Sequence, residues 1–300
     1  MSDAPRVAVV IVSFEAREAL LAGLESLRRH ASTPIETVVV DNASTDGSAD
    51  AVRAAHPAVR VLANAENVGF ARACNQGWRA SGAPVVLFLN PDAEVTSGAV
   101  EALARLLEEK PSVGAAGPRT RSADGTIQVS TGPDLSPLAE RRQRKLVLGV
   151  AHRDAEALAK AEALHSREHE ADWVSGSCLA VRRAALEAVS GLDERFFLYE
   201  EDADLCRRLR IAGWRVVFTP SAEVRHRLGG SMARAARRAR LEYHRSHLLY
   251  YRKHNGPMAQ WALRLLLAAR GLADWSRAVA AGDVTARADA AALLRLAMAS

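Results

Sequence analysis

Val-Val-Leu-Phe-Leu-Asn-Pro-Asp-Ala-Glu, residues 85–94, is the stretch from which the fold can be read. Val85 to Leu89 form an unbroken apolar run, too short for a typical helix. The run stops at Asn90-Pro91, where proline removes a backbone donor and biases the preceding residue away from helix. A buried strand is predicted. Its carboxyl end delivers Asp92 to the rim of a sheet, the edge at which open α/β sheets bind ligands. Taken alone, that aspartate could equally close an Asx turn.

Working outward, three similar runs precede it, at Val7–Val12, Ile35–Val40 and Val59–Leu62. Leu20, Leu21, Leu24 and Leu27 recur at helical spacing up to His30, and helices are predicted over Ala49–Ala55 and Ala71–Ala80. Alternating strands and helices predict a mostly parallel, doubly wound sheet flanked by helices. The loops at the strand ends are then the candidate binding crevice. Ser13 closes the first strand, and Asp41-Asn42-Ala43-Ser44-Thr45-Asp46-Gly47-Ser48 follows the second. Asp41 and Ser44 either cap the next helix or leave Asp41 to accept from a base or ribose. Asn67 to Gly77 lead a glycine turn into a helix start carrying Arg72 and Asn75, a positive end suited to phosphate, although Gly69 and Gly77 could equally serve close packing. No Gly-x-Gly-x-x-Gly follows the first strand and no phosphate loop occurs anywhere, which disfavours a dinucleotide oxidoreductase.

The 300 residues are 49% hydrophobic, enough for a substantial core. Cys74, Cys178 and Cys206 are odd in number and lack metal-ligand spacing, which fits a reducing cytoplasm rather than a disulfide framework. Met1–Arg6 lead straight into an apolar strand, unlike a secretory leader, and no long uncharged apolar window marks a membrane span. Net charge is +5, with basic runs at Arg141–Lys145 and from Arg225 to Lys253. These form solvated faces or meet an anionic substrate or membrane, and nothing points to nucleic acid.

The second half is less regular. Val113–Gly117 read as a strand, Asp124-Gly125 as a hairpin turn, and Ala151–Glu170 as a polar, helix-prone and variable insertion, with His152, His165 and His169 expected at the surface. Trp173 to Arg183, with Gly176 among them, form the next distinctive block. Phe196 to Arg208 then carry Glu200, Glu201, Asp202 and Asp204. Four carboxylates within five positions mark a site or suit a helix N-terminus, with Arg207 and Arg208 pairing to them. His226, between Arg225 and Arg227, is by itself an ordinary surface residue. The tail 233–300 reads as helical; its arginines and aromatics through 233–272 either lie on an anionic membrane or cap the sheet.

Three segments in order carry a resemblance: Val-Val-Val-Asp41-Asn42-x-Ser44-x-Asp46-Gly47-Ser48; Asn67-x-Gly69-Phe70-Ala71-x-Ala73-x-Asn75-x-Gly77; and Leu89-Asn90-Pro91-Asp92. Together they resemble the nucleotide-sugar half of a family 2 glycosyltransferase with the GT-A fold, in the rhamnosyltransferase-like branch that builds cell-surface polysaccharides. The resemblance covers about residues 6–255. It implies a catalytic domain at 1–232, with a donor half near 6–117 and an acceptor half near 171–232, and a helical extension at 233–300. It further implies an inverting, metal-dependent transfer from a nucleoside-diphosphate sugar such as dTDP-rhamnose to a hydroxyl of a glycan or lipid-linked acceptor. The enzyme would be cytoplasmic or peripheral on the inner face of the membrane.

The family's Asp-x-Asp appears as Asn90-Pro91-Asp92, and its opening Tyr-Asn as Phe14-Glu15. Asp92 and His226, the latter in a Val-x-His-x-x-Gly-x-Ser setting, are therefore implied ligands of Mg²⁺ or Mn²⁺. Asp202 is the implied general base, and Glu201 orients the acceptor. Ser13, Asp41, Asn42, Asn67, Arg72, Asn75, Asn90 and Asp92 hold the donor, and Trp173 and Gly176 border the acceptor. Asp204 is expected to be structural. The departures leave one alternative, a non-catalytic nucleotide- or polysaccharide-binding module with a decayed donor site.

Overall fold

The computed structural model describes residues 4–227 and 232–298, and for 232–238 the backbone alone. The first part runs β1 (Val7–Ser13), α1 (Arg17–His30), β2 (Ile35–Asp41), α2 (Ser48–Ala55), β3 (Arg60–Ala63), α3 (Phe70–Arg79), β4 (Val85–Leu89), β5 (Ala93–Val95), α4 (Ala99–Glu109) and β6 (Val113–Arg121). Then come β7 (Ile127–Gln128), β8 (Thr131–Gly132), α5 (Pro137–Ala151), α6 (Ala155–Leu164), β9 (His169–Glu170), β10 (Trp173–Val174) and β11 (Cys178–Arg182). The chain ends with α7 (Arg183–Ala188), α8 (Glu201–Ile211), β12 (Arg215–His226), α9 (Met232–His254), α10 (Pro257–Ala280) and α11 (Val284–Met298).

The main sheet has the order β3-β2-β1-β4-β11-β6-β12-β5. The first four strands are parallel. β11 enters antiparallel between β4 and β6, and β12 returns parallel to β6. Helices cover both faces, which is why β1 is a continuous apolar run and not an alternating one. Val7, Val9 and Ile11 pack with Leu20, Leu24, Leu103 and Leu107 on one side. Val10 and Val12 pack with Cys74, Trp78, Leu205 and Leu209 on the other. A Cβ at Gly77 would lie 2.3 Å from Val10 Cγ1, so glycine is what lets α3 approach β1.

All three cysteines are free and buried. The 151–170 segment is an ordered part of the fold rather than a loose insertion. Ser136 caps α5 by accepting from Ala139 N–H, and Asp154 caps α6 from Ala157 N–H, while Val150 and Ala161 pack on Ile127. His152 is exposed, but the surface expectation fails for His165, which is fully buried against Phe218 and bonded to Ser130 N–H through Nε2. Four-residue spacing from His169 could not reveal this, because the burying strand lies 50 residues further on. The C-terminal helices pack on the body through a cluster uniting Leu248, Tyr250, Tyr251, Leu263 and Leu267 with Phe196 and Ala203.

The sheet positions the site twice. Ser13, Asn42 and Asn90 stand at the carboxyl ends of adjacent parallel strands. Asp92 precedes β5, which pairs antiparallel with the end of β12 and sets Ala93 opposite His226.

Candidate active site

A cleft of about 530 Å³ opens along this edge, and its lining includes Phe14, Asn42, Asn90, Asp92, Asp202 and His226. His226 Nε2 lies 3.1 Å from Asp92 Oδ1, although 134 residues separate them. The imidazole is oriented from behind. Gln128 Nε2 donates to the His226 carbonyl at 2.9 Å, which turns Gln128 Oε1 toward His226 Nδ1 at 3.2 Å. That oxygen can only accept, so Nδ1 carries a proton and Nε2 faces Asp92 and the Asn90 amide. This arrangement fits a divalent ion. A separation of 3.1 Å is close to the roughly 3 Å between two cis ligands of an octahedral ion with bonds of about 2.1 Å. No group of three His, Cys, Asp or Glu side chains is assembled among the described residues. Such a site would take its remaining ligands from phosphate oxygens and water, as Mg²⁺ sites usually do. Gly229 and Ser231 of the motif around His226 lie outside the described residues, as do the side chains of Arg234, Arg237 and Arg238.

Across the cleft, α8 begins in strained backbone. Tyr199 and Glu200 both have positive φ, 71° and 66°. That turn presents Glu201 and Asp202 on the first turn of the helix. Asp202 Oδ2 accepts from Gly176 N–H at 2.7 Å and Oδ1 from Ala203 N–H at 2.8 Å. A Cβ on Gly176 would lie 3.2 Å from Asp202 Cβ and Oδ2, so the glycine leaves just enough room for this docking. Burial raises the Asp202 pKa, opposed by these N–H donors. Burial raises Glu201 further, reinforced by the charge of Asp202, and its Oε2 has no partner among the described residues. Of the two neighbours, Asp202 is therefore the more readily ionised, while remaining more basic than an ordinary aspartate. Asp204 instead faces inward to Arg208, Lys253 and His254, which hold it ionised against its burial.

The donor candidates separate into groups. Asp41 is buried; Oδ2 accepts from Ser44 N–H, while Oδ1 and the neighbouring Ser13 Oγ have no partner among the described residues. Asn42 and Asn67 are hydrogen-bonded to each other at 2.9 Å, and Asn42 also bonds Val68 N–H and the Gly69 carbonyl, fixing the turn that borders the cleft. Gly69, at φ 87°, sits where a Cβ would meet Phe197 at 2.8 Å. Asn75 is not among the residues that line the cleft. Its amide is fully used in joining α3 to Leu192 and Glu194 and in accepting from Trp78 Nε1 of the same helix, and Arg72 reaches Glu194. Trp173 is likewise taken up by structure, with Nε1 donating to the Pro133 carbonyl. Glu15 ties the β1 loop to the β2 loop through Thr45 N–H. Arg208 pairs with Asp204 as the sequence leads one to expect, whereas Arg207 turns to Asp134 and the His254 carbonyl.

Two neighbours of the site, Gln128 and His247, carried no signal in the sequence. Gln128 stands on a two-residue strand in the irregular region. Glu200 is buried against His247 at 2.9 Å, and His247 also meets Glu140 at 3.0 Å, so one histidine of α9 bridges α5 to the entry of α8. Burial opposes charge on His247, but the two carboxylates outweigh it and hold its pKa up at about 10.

Residues 5–243 match the family described as "Glycosyltransferase like family 2". A curated relative, N-acetylglucosaminyl-diphospho-decaprenol L-rhamnosyltransferase of Mycobacterium tuberculosis, is 34% identical over 87% of this chain and 90% of its own length. Among solved structures, a mannosyltransferase from Pyrobaculum calidifontis in complex with GDP-Man and Mn²⁺ superposes with a TM-score of 0.58 at 20% identity, covering 98% of this chain and 86% of that one. GalNAc-T7 with UDP, GalNAc and Mn²⁺ gives 0.59 at 16% identity, covering 83% and 48%. These likenesses show the GT-A fold.

Proposed function

We infer from one premise, that this chain belongs to the family 2 glycosyltransferases, that its cleft transfers a sugar, with inversion, from a nucleoside diphosphate to an acceptor hydroxyl. The observation carrying this reading is that two unlike carboxylate sites line one cleft. Asp92 is paired with an oriented imidazole, and Asp202 is held on backbone N–H groups with its basicity raised. Expelling a diphosphate develops negative charge on the leaving oxygens. Asp92 and His226 would hold a Mg²⁺ or Mn²⁺ ion, which supplies Lewis-acid stabilisation of that charge when bound. Asp41 Oδ1, buried and lacking a donor, accepts from the base or ribose of the nucleotide; Ser13 and the Asn42–Asn67 pair border that subsite. Asp202 removes the proton from the attacking hydroxyl on the opposite side, and Glu201, whose burial favours its protonated form, donates a hydrogen bond to the acceptor. One base suffices for a single displacement, with no glycosyl-enzyme intermediate.

The relative's printed activity supports L-rhamnose as the sugar and a lipid-linked N-acetylglucosaminyl diphosphate as the acceptor class. Such an acceptor would keep the protein at the cytoplasmic face of a membrane. No helix among the described residues is long and apolar enough to cross one. To test the reading, the protein is incubated with Mg²⁺ or Mn²⁺ and dTDP-rhamnose, UDP-galactose, UDP-glucose or GDP-mannose, and nucleoside diphosphate release is followed with and without a lipid-linked N-acetylglucosaminyl diphosphate. Metal-dependent release from dTDP-rhamnose, accelerated by the acceptor, is expected. Absence of both release and metal-dependent nucleoside-diphosphate binding would favour the decayed-site alternative.

A further inference from the structure

The long helix α10 has an unusual outer side. Met258, Leu265, Leu272 and Val279 follow one another at seven-residue steps, with Trp261 and Trp275 three residues beyond two of them. All six are 42–88% exposed. The exposed charges of α10, Arg270 and Arg277, lie away from this stripe, near the opposite side of the helix, where both pair with Asp274. A 24-residue helix spans about 36 Å, so this is a continuous apolar stripe and not a few scattered side chains.

We propose that the outer face of α10 is a docking surface for the interfacial layer of an anionic lipid bilayer. Two tryptophans in an apolar stripe suit the boundary between acyl chains and headgroups, where an amphipathic ring finds both environments. The cations that match anionic headgroups come from the neighbouring α5, which exposes Arg141, Arg142 and Lys145 beside Leu138, Val147 and Leu148. A second copy of the chain is the rival occupant, because seven-residue spacing also suits paired helices. The positions flanking the stripe argue against it: Arg264 lies on one side and Ala262, Ala269 and Ser276 on the other, with no acid to set a register.

The inner face of α10 explains why docking there serves the cleft. Leu263 and Leu267 pack in the cluster containing Phe196 and Ala203, and Ala203 adjoins Asp202. A bilayer on the outer face therefore lies one helix layer away from the element that carries the acceptor-side carboxylate. The proposal extends the lipid-linked acceptor reading, but its test does not depend on turnover.

The full chain is mixed with vesicles of phosphatidylcholine containing phosphatidylglycerol, and with vesicles of phosphatidylcholine alone, and bound protein is separated by flotation. Tryptophan emission and its quenching by brominated acyl chains are read in parallel. Expected are binding to the anionic vesicles, a blue-shifted and quenched emission, weakening by salt, and at least a tenfold loss of binding in the Leu265→Glu/Leu272→Glu variant. Circular dichroism and nucleoside-diphosphate binding should be unchanged in that variant, since both side chains point away from the body. No binding to anionic vesicles at low salt, or binding that the double variant retains, overturns the proposal. Equal binding to phosphatidylcholine alone overturns the role given to the basic residues of α5. Sedimentation of the lipid-free wild type as a dimer that the double variant dissolves would assign the stripe to a second copy instead.

Discussion

Replacing Asp202 by asparagine changes almost no volume but reverses one hydrogen bond. Both carboxylate oxygens now accept from backbone, Oδ2 from Gly176 and Oδ1 from Ala203. An amide offers one oxygen, so whichever N–H faces the new NH₂ loses its acceptor. Leaving a buried donor unmet costs about 1–3 kcal/mol. At about 2.1 cal/mol/K of unfolding entropy per residue, this 300-residue chain would lose roughly 2–5 °C in Tm. The effect on turnover should be larger, because the amide cannot take the acceptor's proton; loss of a general base is worth about 10²–10⁴ in rate. Donor affinity should stay near wild type, since among the described residues no hydrogen bond links Asp202 to the Asp92–His226 pair. Three readouts separate these effects: acceptor-dependent release of nucleoside diphosphate, calorimetric binding of the nucleotide with Mn²⁺, and thermal unfolding. Turnover within a few-fold of wild type, with binding intact, would refute the assignment of Asp202 as base. A collapse of donor affinity would refute the separation of the two carboxylate sites.

Three further perturbations probe the supports of the site. Gly176→Ala places a methyl 3.2 Å from the Asp202 carboxylate, and the few tenths of an ångström it must yield should lower kcat about tenfold with nucleotide affinity kept, for a displaced base is costly; unchanged kcat would show that the docking is loose. Gln128→Leu frees the imidazole of His226 and should weaken Mn²⁺-dependent nucleotide binding about 10–100-fold, the usual cost of losing such a support; titration of binding against Mn²⁺ reads it directly. His247 has a folded pKa of about 10 against an ordinary 6.5. Because the value is raised on folding, its contribution to stability is fully present below about pH 6.5 and is lost as pH climbs toward 10. His247→Gln should therefore unfold several degrees below wild type at pH 6 and converge with it above pH 10; a constant gap would show that the histidine is not charged.

The donor edge was legible because it is built from local patterns. Five apolar residues closed by Asn90-Pro91 must be a buried strand whichever fold they enter, and parallel strands put Ser13, Asn42 and Asn90 on one rim. Asp92 and His226 were linked only through the family likeness: nothing in a sequence separation of 134 residues implies contact, and it is the antiparallel pairing of β5 with the end of β12 that creates it. The acidic run around Asp202 likewise shows four carboxylates without saying which way each faces. Backbone at positive φ before α8 and the small volume of Gly176 send Asp202 to the cleft, while Lys253 and His254, 50 residues downstream, draw Asp204 inward. Asn75 shows the converse. Its place in a recurrent motif marks it for a ligand, yet every polar atom of its amide is taken by the Leu192 turn and Trp78.

By itself, then, the sequence determined the alternation of strands and helices, the buried parallel core and the residue types available at the rim, because those follow from hydrophobic periodicity and turn chemistry within a few residues of one another. Only the tertiary structure decided which carboxylate meets an imidazole, which is left basic and which is neutralised by cations, and that the arginine- and tryptophan-bearing helix turns its apolar side outward. Each of those depends on contacts between residues far apart in the chain, and their energies arise only when the intervening elements have packed and excluded water.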